Sequence, residues 1–320
     1  MIVRPRPRGI EYFFLLRGSI LPNIWLKLCI TIATAMAVTL THGSFYHVKV
    51  TLTTIPFSLM GLALAIFLGF RNSASYERFW EARKLWGTLI NCSRNLARQA
   101  SAFIVTDDAA AAASVRELQR RMALSAAAFA HALRHQLRDE AGGEGSRAGA
   151  GEELARLLPA EAVAALASRQ NAAAAILDGI GADLRTCLQR GWIAPVLAQE
   201  VDRTIGQLAD VLGGCERIRH TPLPFSYAVL LHRTVYVYCY LLPFGLVDSI
   251  GALTPVVVGI VAYTFFGLDA IGDEIEEPFG LTANDLPLTA LSYGIEIAVR
   301  EAIGDDAMPE MPAPVAYCLQ

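Results

Sequence analysis

Four stretches of this chain are each apolar enough to cross a bilayer, where a spanning helix needs about 20 such residues. They lie at about Ile24–Thr41, Leu52–Phe70, Phe225–Val247 and Leu253–Leu268. Composition agrees, because 54% of residues are hydrophobic and 18% are charged, against about 25% charged residues in soluble domains. The deficit indicates lipid rather than a larger soluble core. The net charge of −3 excludes a generally basic nucleic-acid binder.

Positive charge predicts how the spans are oriented. Short turns, Gly43–Thr51 and Asp248–Ala252, join the spans into two hairpins, and few cations occur in those turns. Lysine and arginine concentrate before the first span and after the second, at Arg4, Arg6, Arg8, Arg17, Arg71, Arg78, Arg83 and Lys84. Cytoplasmic segments carry such an excess. We therefore expect a multi-pass protein of the cell membrane with both termini and the long middle segment in the cytoplasm.

The predicted fold class is all-α, because apolar residues between the spans recur at helical spacing. We expect helices through Arg138, from Pro159 to about Asp178 and after Pro195, with a glycine-rich loop at Asp139–Glu153. The predicted domain order is an N-terminal cytosolic segment (1–23), transmembrane helices 1 and 2 (24–70), a cytosolic helical domain (71–222), transmembrane helices 3 and 4 (223–270) and a C-terminal cytosolic segment (271–320).

The second span carries two parallel stripes of side chains. Small residues repeat every fourth position at Gly61, Ala65 and Gly69, a pattern that lets helix backbones approach closely in membranes. One residue further on, and so about 100° around the helix, stand the bulky Leu62, Ile66 and Phe70. From the pattern alone, contact of the bulky stripe with lipid or a neighbouring helix is the commoner arrangement. Alternatively, symmetric copies pack through the small stripe, so that the bulky stripe lines a pore as successive rings.

Several long motifs resemble one known family. They are RGSILPNIW (Arg17–Trp25) and the stretches Ile55–Gly87, Gly213–Leu246 and Phe265–Leu288. In this order they resemble the bestrophins, in particular the bacterial bestrophin-like membrane proteins. The resemblance implies a homopentameric ion channel with a central pore, whose hydrophobic neck and gate would be formed by Leu62, Ile66 and Phe70. It also implies a cytosolic aperture, for which Ile180 is the candidate, with burial at a helix end as the alternative.

Ion identity stays open at this point. Eukaryotic bestrophins imply chloride, whereas the prokaryotic branch leaves monovalent cations such as Na⁺ possible. Calcium-gated members carry a Ca²⁺ clasp after a PFG motif, and calcium requires six to eight oxygen ligands. Here LTANDL follows PFG, so only Asp285, with Thr282 and Glu277, stands where ligands belong. We therefore expect neither calcium gating nor a cofactor, and expect Asp269 and Asp273 to pair with basic residues instead.

Three further possibilities concern polar residues. His131 and His135 are four residues apart, a spacing that can bind zinc, but two ligands rarely make a site. His232 and Arg233 fall inside the third span, where they either line a watery vestibule or bond Asp269 or a backbone carbonyl. A membrane-bound metal enzyme using the acidic segment Asp269–Glu277, or a non-conducting scaffold, are the alternatives to a channel. No catalytic residue is predicted; the expected partners are further copies of the chain, the bilayer and permeant ions.

Overall fold

The computed structural model describes residues 1–4, 9–15, 18–45, 48–49, 52–138 and 144–320. Within these residues the fold is helical apart from a short antiparallel ribbon, β1 (Ser44–Phe45) and β2 (Val48–Lys49). The α-helices are α1 (Leu21–Leu40), α2 (Thr54–Phe103), α3 (Ala112–Arg138), α4 (Glu144–Ala155), α5 (Ala160–Ala167), α6 (Ala172–Gln189), α7 (Pro195–His220), α8 (Phe225–Ile250), α9 (Thr254–Glu276) and α10 (Leu288–Ile303). The all-helical class predicted from the sequence is confirmed.

The chain divides into two compact units. The first, which we call the apolar unit, comprises Arg4–Phe79 and Pro222–Pro278. The second, the polar unit, comprises Met1–Val3, Trp80–Thr221 and Phe279–Gln320. Helix α2 contributes its first part to the apolar unit and the rest to the polar unit, because no proline interrupts it after its first turn. The units divide the chain at 79/80 and 278/279, and the limits of the membrane-spanning segments at 70/71 and 270/271 stay predictions.

Within the described residues, three helical stretches are long and apolar enough to cross a membrane: Leu21–Leu40, Thr54–Phe103 and Phe225–Glu276. The third contains two helices, α8 and α9, joined by a 3₁₀ turn at Gly251–Leu253. Gly251 makes that turn with φ of +54°, a left-handed conformation that glycine adopts without steric cost. These stretches include most of each of the four predicted spans, but the second continues to Phe103, well beyond the span predicted at Leu52–Phe70.

The core of the apolar unit is formed where α1 packs against α8 and α9, with one face of α2. Tyr238 lies at its centre, with its ring 5.3 Å from that of Phe265 and 6.1 Å from that of Phe57. Aromatic pairs at such separations add to the energy of burial. The side chains of this core include Ile24, Ala35, Phe57, Leu64, Leu68, Leu231, Val235, Tyr238, Leu242, Val258, Phe265 and Phe266.

The polar unit is organised around α3. This helix packs against α6 and α10, and α6 packs in turn against α7. A run of buried alanines with Phe129 and Leu133 forms its centre, and small side chains allow the neighbouring helices to come close. The turn before α3 is held by Asp108, whose Oδ1 accepts a hydrogen bond of 2.9 Å from the Ala110 amide. The helix predicted to run through Arg138 is confirmed.

Two details of the middle segment differ from expectation. Residues 144–153, predicted as part of a loop, lie in α4, because contacts from Glu153 to α3 compensate for the poor helix propensity of Gly149 and Gly151. The helix expected from Pro159 to Asp178 is broken into α5 and α6 at Asn171, whose side chain caps α6 by accepting from the Ala174 amide at 2.9 Å.

Part of the predicted topology concerns residues outside this description. Arg6, Arg8 and Arg17, which contribute to the charge asymmetry, lie outside the described residues, as does 139–143 of the expected loop. The orientation of the chain in the membrane therefore stays a prediction from the sequence.

Candidate functional site

The bulky stripe of the second span is exposed in the isolated subunit. The exposed fractions of Leu62, Ile66 and Phe70 are 62%, 48% and 65%. Successive members are four residues apart, so the three side chains lie in one line along α2 at intervals of about 6 Å. Each copy of the chain therefore presents a row of large apolar groups that its own fold does not cover.

The opposite face of the same helix is buried. Leu64 and Leu68 belong to the core of the apolar unit, where they pack with α8 and α9. Residues two positions apart on a helix are separated by about 200°, so Leu62 and Ile66 point away from that core. The Tyr227 hydroxyl on α8 also donates a 3.0 Å hydrogen bond to the Phe67 carbonyl. Packing against α8 and α9 thus fixes which face of α2 remains open.

The stripe of small residues is used in two ways. A Cβ atom at Gly61 would lie 2.7 Å from the hydroxyl oxygen of Tyr238, so glycine is needed there for α8 to approach within the same subunit. Gly69 has no atom within 4 Å of such a Cβ position, and Ala65 is exposed. Packing of this stripe between copies therefore stays a prediction, and it concerns Ala65 and Gly69 rather than Gly61.

A buried ion cluster begins at the residue after Phe70. Arg71 is 2% exposed, and its Nη1 donates to Asp269 Oδ1 at 2.8 Å, while Nη2 pairs with Asp273. Glu276 Oε2 lies 3.6 Å from the same nitrogen. The expected pairing of Asp269 and Asp273 with a basic residue is confirmed. Because a buried charge is costly unless it is paired, this cluster fastens α2 to α9 next to the exposed stripe.

His232 joins the same cluster. Its Nδ1 lies 2.8 Å from Asp269 Oδ2, and its ring stacks on Tyr236 with centroids 4.5 Å apart. Of the two alternatives for His232, the contact with Asp269 is therefore the one observed. The acidic side chains Asp269, Asp273 and Glu276 all contact Arg71, so they surround a cation of the protein and do not form the open oxygen set that a catalytic metal would need.

The candidate metal ligands have other contacts. Both carboxylate oxygens of Asp285 accept from Thr282, one from its amide at 2.6 Å and one from its hydroxyl at 2.8 Å. Glu277 is exposed. Over the described part of the chain, no group of three or more His, Cys, Asp or Glu side chains could hold a metal ion. Asp285 therefore acts as a turn-forming residue of the loop after the PFG motif.

Arg138 supports that loop from inside the polar unit. Its guanidinium donates to the carbonyls of Phe279 and Leu286 at 3.4 Å and to the Thr289 hydroxyl at 2.8 Å. Burial, together with the charge of Arg134, lowers the pKa of Arg138 to about 10, so the group keeps its charge at neutral pH. A cationic side chain thus bonds the oxygens of this loop directly.

These features can be compared with known proteins. A family model described as bacterial/fungal bestrophin protein matches residues 1–301. The chain belongs to the bestrophin family. The resemblance seen in the four motifs is thereby confirmed, and with its apolar helices this bestrophin is a membrane protein.

Relatives of known name cover the chain almost completely. A voltage-dependent anion channel-forming protein of Ralstonia nicotianae is 42% identical over 319 residues, which span 100% of both chains. One from Escherichia coli is 38% identical over 315 residues, 98% of this chain and 97% of that protein. A crystal structure of a mutant bacterial bestrophin homologue from Klebsiella pneumoniae superposes with a TM-score of 0.80 at 37% identity, covering 88% of this chain and 99% of that one.

In this bestrophin the aperture candidate is placed differently from expectation. Ile180 lies on α6 and is fully buried in the polar unit, whereas its neighbours Asp178 and Gly179 are exposed. A side chain that lines an aqueous constriction has to be accessible in the single subunit. The assignment of Ile180 is therefore corrected: its side chain is buried, as in the alternative, but it lies in the middle of α6 rather than at a helix end.

Sequence reasoning missed a buried charge network in the polar unit of this bestrophin. His131 is fully buried, with Nε2 2.9 Å from Glu296 and Nδ1 3.3 Å from Glu153. His135 Nε2 lies 2.7 Å from Glu153, which Arg134 also contacts. The four-residue spacing of the histidines was visible in the sequence, but their acidic partners on α4 and α10 are distant in sequence and carried no signal. His131 is thus buried inside this network, and His135 lies half-buried at its edge.

The network lowers the pKa values of its carboxyl groups. Burial alone would raise the pKa of Glu153, but hydrogen bonds from His131 and His135 and the charge of Arg134 outweigh it and hold the pKa well below its ordinary value. Burial would likewise raise the pKa of Glu296, but contact with His131 and a 3.0 Å hydrogen bond from Arg300 Nε outweigh burial, so the pKa of Glu296 is also lowered. The network therefore ties α3, α4 and α10 together as charged groups.

Proposed function

We propose that this bestrophin is an ion channel rather than an enzyme: a homopentamer through whose central pore small monovalent ions pass passively. Leu62, Ile66 and Phe70 form the hydrophobic neck in this proposal. The observation that carries it is the exposure of these three side chains on the face of α2 opposite the subunit core. The two named relatives, which are anion channel-forming proteins by name, support the same function.

The proposed membrane arrangement has four transmembrane helices in two hairpins. In it α1 pairs with the first part of α2, and α8 pairs with α9. The polar unit would form the cytosolic helical domain, and both termini would lie in the cytoplasm of a cell whose membrane holds the channel. The excess of Lys and Arg outside the hairpin turns supports this orientation.

An apolar neck suits passive conduction. A ring of aliphatic and aromatic side chains does not bind an ion tightly, so an ion that enters can also leave. It imposes a dehydration barrier instead, and narrow hydrophobic constrictions gate by wetting and drying. Small changes in the spacing of Leu62, Ile66 and Phe70 would thus open or close the path without any covalent chemistry.

Ion flux from liposomes tests the proposal. Vesicles containing the purified chain should release trapped monovalent ions down a gradient, while empty vesicles should not. The relatives' names favour an anion such as chloride, and Na⁺ is the competing ion, so the reversal potential in a salt gradient separates the two. Absence of flux above that of empty vesicles would leave the non-conducting scaffold as the better description.

The assembly and its orientation need separate measurements. Chemical cross-linking in detergent should give a ladder that ends at five subunits. Reagents that label cysteine and do not cross membranes should reach single cysteines placed at the two hairpin turns from outside intact cells, and those at the termini only after lysis. A ladder ending at two subunits would contradict the pentamer.

A further inference from the structure

The stripe that carries the neck ends in a carboxylate. Seven residues after Phe70 a helix has turned about 700°, so Glu77 returns to within about 20° of the same line, about 10 Å further along α2. Ser73 stands between them on that line. Both Ser73 and Glu77 are exposed in the subunit. Along this face of the apolar unit, therefore, three bulky apolar side chains are followed by one hydroxyl and one acid.

Glu77 has no partner in the subunit. No hydrogen bond or ion pair joins it to any residue that the structure describes, whereas Glu81, one turn later, pairs with Arg217. The nearest preceding cation on the helix, Arg71, is buried and already neutralised by Asp269 and Asp273. The charge of Arg71 therefore does not offset the charge of Glu77.

The cation next to Glu77 in sequence points elsewhere. Arg78 is about 100° further around α2, and its Nε donates to the carbonyl of Glu276 at 3.2 Å. Within the apolar unit, the face that bears the neck thus has three apolar side chains in succession, then a hydroxyl and then a negative charge. A fixed negative charge at the mouth of an apolar constriction concentrates cations there and repels anions, and rings of Asp or Glu have this role in cation pores.

We infer that Glu77 sets the charge selectivity of the pore: repeated in every subunit, it forms a ring of carboxylates at one mouth of the neck that favours monovalent cations over anions. This inference rests on the proposed function, because it requires the stripe of α2 to line a shared pore. It assigns the ion class to a single side chain, although the relatives are named for anions.

The test is the reversal potential of the reconstituted channel in a tenfold KCl gradient. We expect Glu77→Gln to lower the ratio of K⁺ to Cl⁻ permeability by about tenfold or more, since such fields change local ion concentrations by about that factor. Glu77→Lys should move the reversal potential further towards chloride, and Glu77→Asp should keep it near wild type. Glu301→Gln, an exposed acid of the polar unit, is the matched control and should change nothing.

Cysteine modification provides a second readout that does not depend on comparing variants. In a background with Cys29→Ser and Cys318→Ser, Glu77→Cys should gain cation preference after reaction with a negatively charged methanethiosulfonate and lose it after reaction with a positively charged one. The effect should weaken at high salt, because the Debye length falls from about 10 Å at 0.1 M to 3 Å at 1 M.

The possible outcomes separate the two proposals. If the wild-type chain conducts and both Glu77→Gln and Glu77→Lys leave the reversal potential unchanged, the assignment of Glu77 is overturned while the channel stands. If the wild-type chain passes no ions, the proposed function falls and the assignment of Glu77 falls with it. A variant that does not assemble is recognised by size-exclusion chromatography, and the cysteine series, measured before and after modification of one sample, then decides.

Discussion

Helix α2 has two apolar faces of similar composition in opposite surroundings. Leu64 and Leu68 are enclosed by α8 and α9, whereas Leu62 and Ile66, two positions away from each, touch nothing that buries them in the subunit. Leucine appears on both faces, so side-chain type does not decide the role. The contacts of each face decide its role. The buried face should determine whether the subunit folds, and the exposed face should determine what the assembled subunits enclose.

Substitutions on one face or the other test this division of roles. Changes on the core face should lower the free energy of unfolding strongly. Changes on the exposed face should leave it nearly constant and alter ion flow instead. A large loss of stability from the exposed face, or a large change in conductance with no loss of stability from the core face, would contradict this division.

The largest effect is expected at the charged end of the core face. Arg71→Met should lower the free energy of unfolding by about 3–5 kcal/mol, because it leaves the buried carboxylate of Asp269 without its arginine. Thermal unfolding in detergent, followed by light scattering, measures the loss. Arg94→Met, an exposed arginine later on the same helix, is the control and should stay within about 0.5 kcal/mol.

The same prediction has a charge-specific check. If the loss reflects uncompensated acids, adding Asp269→Asn and Asp273→Asn to Arg71→Met should recover part of it, because removing both members of a buried pair costs less than removing one. A triple variant that is less stable than the single one would show that packing of the Arg71 side chain, not its charge, matters.

The next effect is expected within the apolar core. Leu68→Ala should lower the free energy of unfolding by about 2–4 kcal/mol, because it leaves a cavity among the side chains of α8 and α9. The unfolding midpoint measures this, with Leu68→Met as the volume-conserving control that should cost less than about 1.5 kcal/mol. Equal midpoints for the alanine and methionine variants would mean that Leu68 is not packed as described.

Much of the fold could be predicted from sequence, because lipid imposes a simple rule. A span must be long and apolar, and a helix must satisfy its own backbone; hence α1, α8 and α9 appear where expected. The boundaries of α4 and α5 could not be predicted. They depend on Glu153 bonding residues of α3 and on the cap at Asn171, and such contacts are set by tertiary packing.

The candidate site was predictable only in part. The four-residue repeat of Leu62, Ile66 and Phe70 placed these side chains on one line, which needs helix geometry alone. That Asp269 and Asp273 would pair with a basic residue was predicted from charge, whereas the identity of that residue, Arg71, was not. The burial of Ile180 was not, because several faces of α6 are apolar and only its packing in the polar unit determines which of them is covered.

A smaller effect should differ in sign between two glycines of one stripe. Gly61→Ala should lower the free energy of unfolding by about 1–2 kcal/mol, because the new Cβ would lie 2.7 Å from the Tyr238 hydroxyl oxygen and overpacking costs about that much. Gly69→Ala, with open space around the new atom, should instead raise it by about 0.5–1 kcal/mol by favouring the helix. Unfolding midpoints compare the two, and equal shifts would refute the close approach of α8 at Gly61.

The smallest effect on stability is expected at the exposed stripe, where the largest effect on conductance is expected. Ile66→Ala removes little buried area from the subunit, so the free energy of unfolding should change by less than about 0.5 kcal/mol. The same change widens the proposed neck, which lowers the dehydration barrier for an ion. Single-channel conductance in a planar bilayer should therefore rise. Leu62→Ala with Phe70→Ala should raise the conductance further. Because Leu68→Ala removes a side chain of the same size from the opposite face, it is the matched control: it should reduce stability and leave the conductance of the channels that do assemble unchanged. Unaltered current in all the stripe variants would place that face of α2 against lipid rather than around a pore.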